Sequence, residues 1–374
     1  MACALPMPRA IAGELANSVM PPVRHVFVIV LENESYQVTF GKGSLAPYLA
    51  STLPGQGALL TRYYGIGHNS LDNYIAMISG QAPNPATQGD CKRYVEFVAT
   101  GAPDALGQLP GSGCVYPATV KTLADQLQQA GLSWKGYMED MGASPRREAD
   151  ACGHVAIGTI DATRMATATD EYADKHDPFV YFHSIIDDHA GCARHVVNLT
   201  ALAHDIKRVD TTPNLAYIVP GLCHDGHDAP CADGEPGGLV SADRFLRTWV
   251  PRIVQSPAFR RDGLLVITFD EGGDGSACCG ETGLPGGPQP GKFGPGGGTV
   301  GAVLLSPFIA PGTVSHVPYN HYSLLRSIED LFDLGHLGMA KAPGLRDFGA
   351  DVFTGSTGAA APAGAARIRA RQPG

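Results

Sequence analysis

The chain has 374 residues, 27 Lys and Arg against 36 Asp and Glu for a formal net charge of −9, and is 44% hydrophobic with 17% charged residues. Such a composition is globular and can bury a central sheet within one large α/β unit. No run of basic residues interrupts the acidic balance, so a nucleic-acid surface or a polybasic membrane patch is not expected.

In chain order, residues 1–22 lack a continuous apolar stretch of the kind a signal peptide or membrane span requires, and are read as a flexible N-terminal segment. Short apolar runs follow: HVFVIVL at 25–31, FVYFHSI at 179–185, LAYIV at 215–219, LLVITF at 264–269 and AVLLS at 302–306. Continuous rather than alternating apolarity predicts strands buried on both faces, as in a parallel sheet. WKGYMEDM at 134–141 is predicted to be a further buried strand with an acidic end and no catalytic role. Helical patterns lie between the strands, at 119–131 closed by Gly131 and at 320–332 opened by Asn320. The alternation predicts an α/β/α sandwich with a mostly parallel central sheet in one domain, 23–354. The glycine-rich stretch 272–298 reads as a long loop, functional or mobile, and 355–374 as a disordered tail.

Nine cysteines are many for a reducing compartment, and no Cys-x-x-Cys zinc spacing occurs. Cys91 with Cys114, Cys152 with Cys192, and Cys223 with Cys231 are spaced as loop-closing pairs, whereas adjacent Cys278 and Cys279 are not expected to pair with each other. About three disulfides, and a secreted or cell-envelope location, are expected.

The chemistry concentrates where strands end. Glu32 and Asn33 follow the first run, and Asp270 and Glu271 follow LLVITF. In open α/β sheets ligands sit beyond the carboxyl ends of the strands. Each acidic pair alone could cap a helix or solvate a loop. Two at one edge would repel unless a cation joins them, and an all-oxygen set suits Ca, Mg or Mn better than Zn. Ser70, in GIGHNSLDNYIAMISG (residues 65–80), opens a helical pattern. It is either an N-cap or, beside a cation, a nucleophile towards phosphorus.

At this point HVFVIVLENES, GIGHNSLDNYIAMISG, KHDPFVYF, CHDGHD, LLVITFDEGG and LLSPFIAPGTVSHVPYNHYSLLRSIEDLF, in this order, resemble the bacterial and fungal phosphoesterase family. That family holds acid phosphatases related to phospholipase C within the alkaline-phosphatase-like superfamily. The resemblance spans roughly residues 23–350. It implies that Glu32, Asn33, Ser70, Asp270 and Glu271 hold a divalent metal ion, that Ser70 is the nucleophile, and that His176 and His227 face the phosphate as catalytic and substrate-binding groups. The alternative reading of each histidine is a loop residue. Asn73, on the same helical face as Ser70, could touch phosphate or only the next turn. Asp225 and Asp228 flank His227 and could bind an ion or shape the turn at Gly226. His68 could merely shape its loop, and His321 could be a cap or a supporting residue. The expected function is a metal-dependent, acid-phosphatase-like phosphomonoesterase acting on small phosphate esters through a phosphoserine. A phospholipase C-type diesterase and a non-catalytic phosphate-binding relative are the alternatives. No stable membrane association is expected, because no amphipathic membrane-binding helix is evident.

Overall fold

The computed structural model describes residues 20–284 and 286–355. Its centre is an eight-stranded sheet. The strands are β1 (His25–Leu31), β2 (Ala58–Leu60), β3 (Trp134–Met138), β4 (Val196–Asn198), β5 (Leu215–Val219), β6 (Gly263–Phe269), β7 (Ala302–Leu305) and β8 (Thr313–Ser315). They lie in the order β8-β2-β7-β6-β1-β5-β3-β4. Only β7 runs against its neighbours, β6 and β2; every other pairing is parallel. The central strands β1, β5 and β6 are buried at every position, as expected of strands covered by helices on both faces. The fold is therefore the α/β/α sandwich that the apolar runs predict.

Four helices matter for the site and its frame: α1 (Ser70–Ser79), α2 (Leu123–Gln129), α3 (Gly238–Val254) and α4 (His321–Leu331). Helix α1 is buried along its whole length and packs on α4. Thr122 caps α2 with a reciprocal capping box to Asp125, which starts the helix four residues later than the pattern at 119 suggests. Asn320 caps α4 through Ser323.

Two expectations are corrected here. Residues 179–185 are not a strand: Pro178–Tyr181 is a 3₁₀ turn and His183–Ile186 a short helix. Asp177 accepts from the Phe179 amide, and proline occupies the first position of the turn, a local start signal that overrides the apolar run. Cys278 and Cys279 are joined, in addition to the three expected pairs Cys91–Cys114, Cys152–Cys192 and Cys223–Cys231. Cys279 adopts a left-handed backbone, φ +72°, in this vicinal pair. The strand read at 134–141 ends at Met138, and loop 272–298 holds no helix or strand among its described residues. Most of the N-terminal segment and of the tail lies outside the described residues.

Candidate active site

The parallel register of β1 with β6 sets Leu31 opposite Phe269. The next residues, Glu32 and Asp270, leave the carboxyl edge side by side and are both fully buried. The loop after β5 returns to the same place, with the Glu32 amide donating to the Asp225 carbonyl at 2.9 Å. Gly226 makes this turn possible. Its φ is +113°, and a Cβ there would stand 2.3 Å from the Glu32 carbonyl oxygen, so a side chain is excluded by both sterics and backbone.

Helix α1 brings Ser70 to these acids from above the sheet edge. The cap position belongs to Asn69, in the left-handed region at φ +73°. Its amide donates to Glu271 Oε2 at 2.9 Å and its side chain to the Gln88 carbonyl. Ser70 is the first helical residue and caps nothing. Its Oγ donates to Glu32 Oε2 at 2.6 Å, and Lys175 Nζ donates to the same Oγ at 3.4 Å. His176 Nε2 lies 3.2 Å from Glu32 Oε2, and its Nδ1 3.5 Å from Asp225 Oδ2. Tyr74 stacks on the His176 ring, and His227 stands beside it at 6.5 Å between ring centroids. The His227 amide donates to Asp225 Oδ1, and its Nδ1 meets Asp228 Oδ1 at 2.7 Å. Asp225 and Asp228 thus both hold the turn, and Asp225 also faces the cluster.

Charge in this pocket is unbalanced. Glu32 Oε1, Asp225 Oδ2 and both carboxylate oxygens of Asp270 are buried with no hydrogen-bond partner. Burial would raise Glu32, but His176, Lys175 and His227 outweigh it and hold the carboxyl down at about 2. Burial and the charge of Glu32 push Asp270 and Asp225 well above the usual carboxylate range, and Glu271 up to about 8. Burial depresses His176 despite Glu32. Lys175 is buried, yet Asp90, Glu32, Asp270 and Asp225 hold it above its ordinary value. Buried oxygens without partners are what a hard cation would satisfy. The donors fit such an ion by chemistry rather than as a closed cage. Among the described residues, the groups with three ligand atoms within 4.8 Å of one another are Cys223, Cys231 and Asp233, and Cys278, Cys279 and Glu281, whose sulfurs are bonded in pairs.

The remaining predicted residues divide. Asn33 is exposed at the mouth of a cleft of about 290 Å³, shared with His68, Asn69, Glu271, Lys292 and Phe293. Asn73 does not reach the cluster. Its Oδ1 accepts from the Ile66 and Gly67 amides and its Nδ2 donates to the Gly67 and Asn69 carbonyls, which uses the full capacity of an amide side chain. It shapes the loop that delivers Ser70. His68 is likewise a clamp, accepting from the Lys292 amide and donating to the Asp274 carbonyl. His321 donates to the Asp270 carbonyl at 2.5 Å and meets the Tyr63 hydroxyl at 3.2 Å. It is neutral, since burial takes it down to about 4. Lys175 and Asp90 are additions that sequence reading missed. Asp90 accepts from the Leu71 amide and lies 3.7 Å from Lys175 Nζ.

A mostly parallel α/β/α sheet with acids, a helix-borne serine and two imidazoles at its carboxyl edge defines an alkaline-phosphatase-like fold. The solved structures agree: a protein of the alkaline phosphatase superfamily from Vibrio parahaemolyticus superposes with a TM-score of 0.50 over 85% of this chain and 69% of its own, at 12% identity. Residues 45–335 match the Phosphoesterase family, and the chain belongs to it. It is 25% identical over 319 residues to a probable acid phosphatase of Kluyveromyces lactis, covering 84% of this chain and 59% of that one. It is 24% identical over 338 residues to a phosphatidylinositol-3-phosphatase of Mycobacterium tuberculosis, covering 90% of this chain and 86% of that one. The chain spans between 55% and 59% of the length of three fungal acid phosphatases that it matches. Among the described residues, no helix is long and apolar enough to cross a membrane.

Proposed function

We propose that this protein is a metal-dependent phosphoric ester hydrolase, an acid-phosphatase-like phosphomonoesterase that works through a phosphoserine at Ser70. The observation that carries the reading is the Ser70 hydroxyl. It sits at the start of a buried helix without capping it, and donates instead to Glu32 at 2.6 Å, among buried carboxylate oxygens that lack partners. Glu32, Asp270 and Glu271, with Asn33 and Ser70, would hold a divalent ion such as Ca, Mg or Mn. Once bound, the ion would lower the serine hydroxyl's pKa and neutralise phosphate charge.

The chain's own groups supply the rest. Ser70 Oγ forms a bond to phosphorus as the ester P–O bond breaks. The hydroxyl proton leaves along the hydrogen bond to Glu32, whose oxygen is backed by His176. His227, oriented by Asp228 and the more exposed of the two imidazoles, gives its proton to the departing alkoxide. Water then attacks the phosphoserine and loses a proton to His227. Oγ leaves phosphorus and recovers its proton from Glu32, so the sum is ester plus water to alcohol plus phosphate. The helix N-terminus favours the anion throughout.

The four disulfides support a location outside reducing compartments. The M. tuberculosis relative, matched over most of its own length, makes a phosphomonoester on an inositol headgroup a substrate to try. Hydrolysis of p-nitrophenyl phosphate, p-nitrophenyl phosphorylcholine and phosphatidylinositol 3-phosphate vesicles should be compared with and without chelator. The expected result is monoester turnover that the chelator abolishes. Faster turnover of the diester would favour a phospholipase C-type enzyme, and phosphate binding without turnover of any ester a non-catalytic relative.

A further inference from the structure

The reading above leaves one buried cation unused. Lys175 is 5% exposed, on the short 3₁₀ turn Asp174–His176 that also presents His176. Its ammonium has three N–H donors and, among the described residues, one hydrogen bond, to Ser70 Oγ at 3.4 Å, and one carboxylate within 4 Å, Asp90 Oδ2 at 3.7 Å. The first is a hydrogen bond and the second is longer than one. Asp90 does not depend on Lys175, because it also accepts from the Leu71 amide and lies 3.9 Å from Arg164. A lysine buried only to neutralise Asp90 would approach the carboxylate more closely than the serine. Here the order is reversed, and at least one N–H is left over beside the hydroxyl.

We propose that Lys175 is a further catalytic residue, which donates to Ser70 Oγ in the free enzyme and to a non-bridging oxygen of the phosphoryl group once that group is bonded to Oγ. This rests on the phosphoserine reading. Lys175 stays protonated and transfers no proton. Its charge stabilises the serine oxygen as the hydroxyl proton moves to Glu32, then the negative charge gathered on the phosphoryl oxygens. A fixed cation in a water-poor site is worth far more there than in solvent. Because Asp90 fastens the amino end of α1 through Leu71 and also faces Lys175, the helix that delivers the nucleophile and the cation that faces it share one anchor.

The test measures phosphoserine formation by rapid acid quench with p-nitrophenyl phosphate, in wild type, Lys175→Met, Lys175→Arg and the double variant Lys175→Met/Asp90→Asn. The double variant removes both charges, so it still reads out where the single methionine variant fails to fold. Trapping of a phosphopeptide containing Ser70 in wild type tests the underlying reading. Given that peptide, loss of Lys175 should slow its formation by ~10²–10³-fold, with bound metal unchanged and the larger effect on kcat than on KM. Lys175→Arg should recover part of the rate. A folded double variant that forms phosphoserine at the wild-type rate would overturn the role of Lys175 and leave the nucleophile standing. Absence of any phosphopeptide in wild type would take down both.

Discussion

Leu31 and Phe269 face each other across β1 and β6, and the Asp270 amide donates to the Leu31 carbonyl at 2.9 Å. One more step along each chain therefore brings two fully buried carboxylates to the same edge of the sheet. Register, rather than any contact between the acids, creates the charge problem of the site. A cation would resolve it, and so would removing one charge. Asp270→Asn should accordingly raise the melting temperature of metal-free protein while it lowers metal occupancy and turnover together. Calorimetry and metal analysis on the same preparation check this. Full metal content with normal turnover would remove Asp270 from the site.

How much of this could be read beforehand depends on how local each signal is. β1, β5 and β6 announce themselves because burial on both faces demands unbroken apolar runs, and the acids stand immediately after two of them. The run at 179–185 is buried too, apart from the half-buried His183 and Ser184, but it follows Asp-Pro, and periodicity does not separate a buried strand from buried turns. Helix α3, the longest among the described residues, begins at glycine and contains Pro251, both of which disguise a helix. Lys175 and Asp90 lie 85 residues apart in sequence and 3.7 Å apart in space. Only tertiary packing makes them part of the site, and no spacing rule reaches that far.

A second prediction concerns pH. Burial raises Glu329 to about 9, with Glu148, Asp177 and Glu281 at about 7. For these groups the folded state binds more protons than the unfolded one, so stability is greatest in acid and falls as pH rises from about 4.5 towards 9. The share of stability these four carboxyls contribute should be larger at pH 5 than at pH 8, against the buried His176 and His321, whose lowered values act in the opposite sense. Glu329 Oε1 accepts from the Leu337 amide while Oε2 is buried without a partner. Glu329→Gln keeps that acceptor and removes the charge. Its melting temperature should match wild type below about pH 4.5 and exceed it increasingly above. A constant difference across that range would show that Glu329 titrates normally.

A third prediction follows from the Cys223–Cys231 pair, which closes the loop carrying Asp225 and His227. Peptide mapping of unreduced protein should recover this link and a Cys278–Cys279 peptide lighter by two hydrogens. Replacing Cys223 and Cys231 with alanine should cost about 2–3 kcal/mol by loop-closure entropy. Activity should fall further than that loss explains, because the loop also positions His227. Free thiols throughout protein from its native compartment would overturn both the pairing and the proposed location.

The sharpest prediction is Ser70→Ala. Asn69 holds the cap position, so the substitution removes no cap, and the usual penalty of about 0.5–2 kcal/mol does not apply. What it removes is the hydrogen bond to Glu32. Glu32 Oε2 keeps His176 at 3.2 Å, so the net effect on stability should stay within about 1 kcal/mol. Turnover should fall by several orders of magnitude, since the group that would bond to phosphorus is gone. Ser70→Thr separates chemistry from packing. Its hydroxyl can still attack, so some activity should survive, but Ser70 is only 2% exposed and the added methyl group must find room, so the threonine variant should be the less stable of the two. Opposite rankings of the variants in activity and in stability mark a nucleophile. An alanine variant with near wild-type turnover would exclude the covalent route, and hydrolysis would then have to proceed by direct attack of water on the ester.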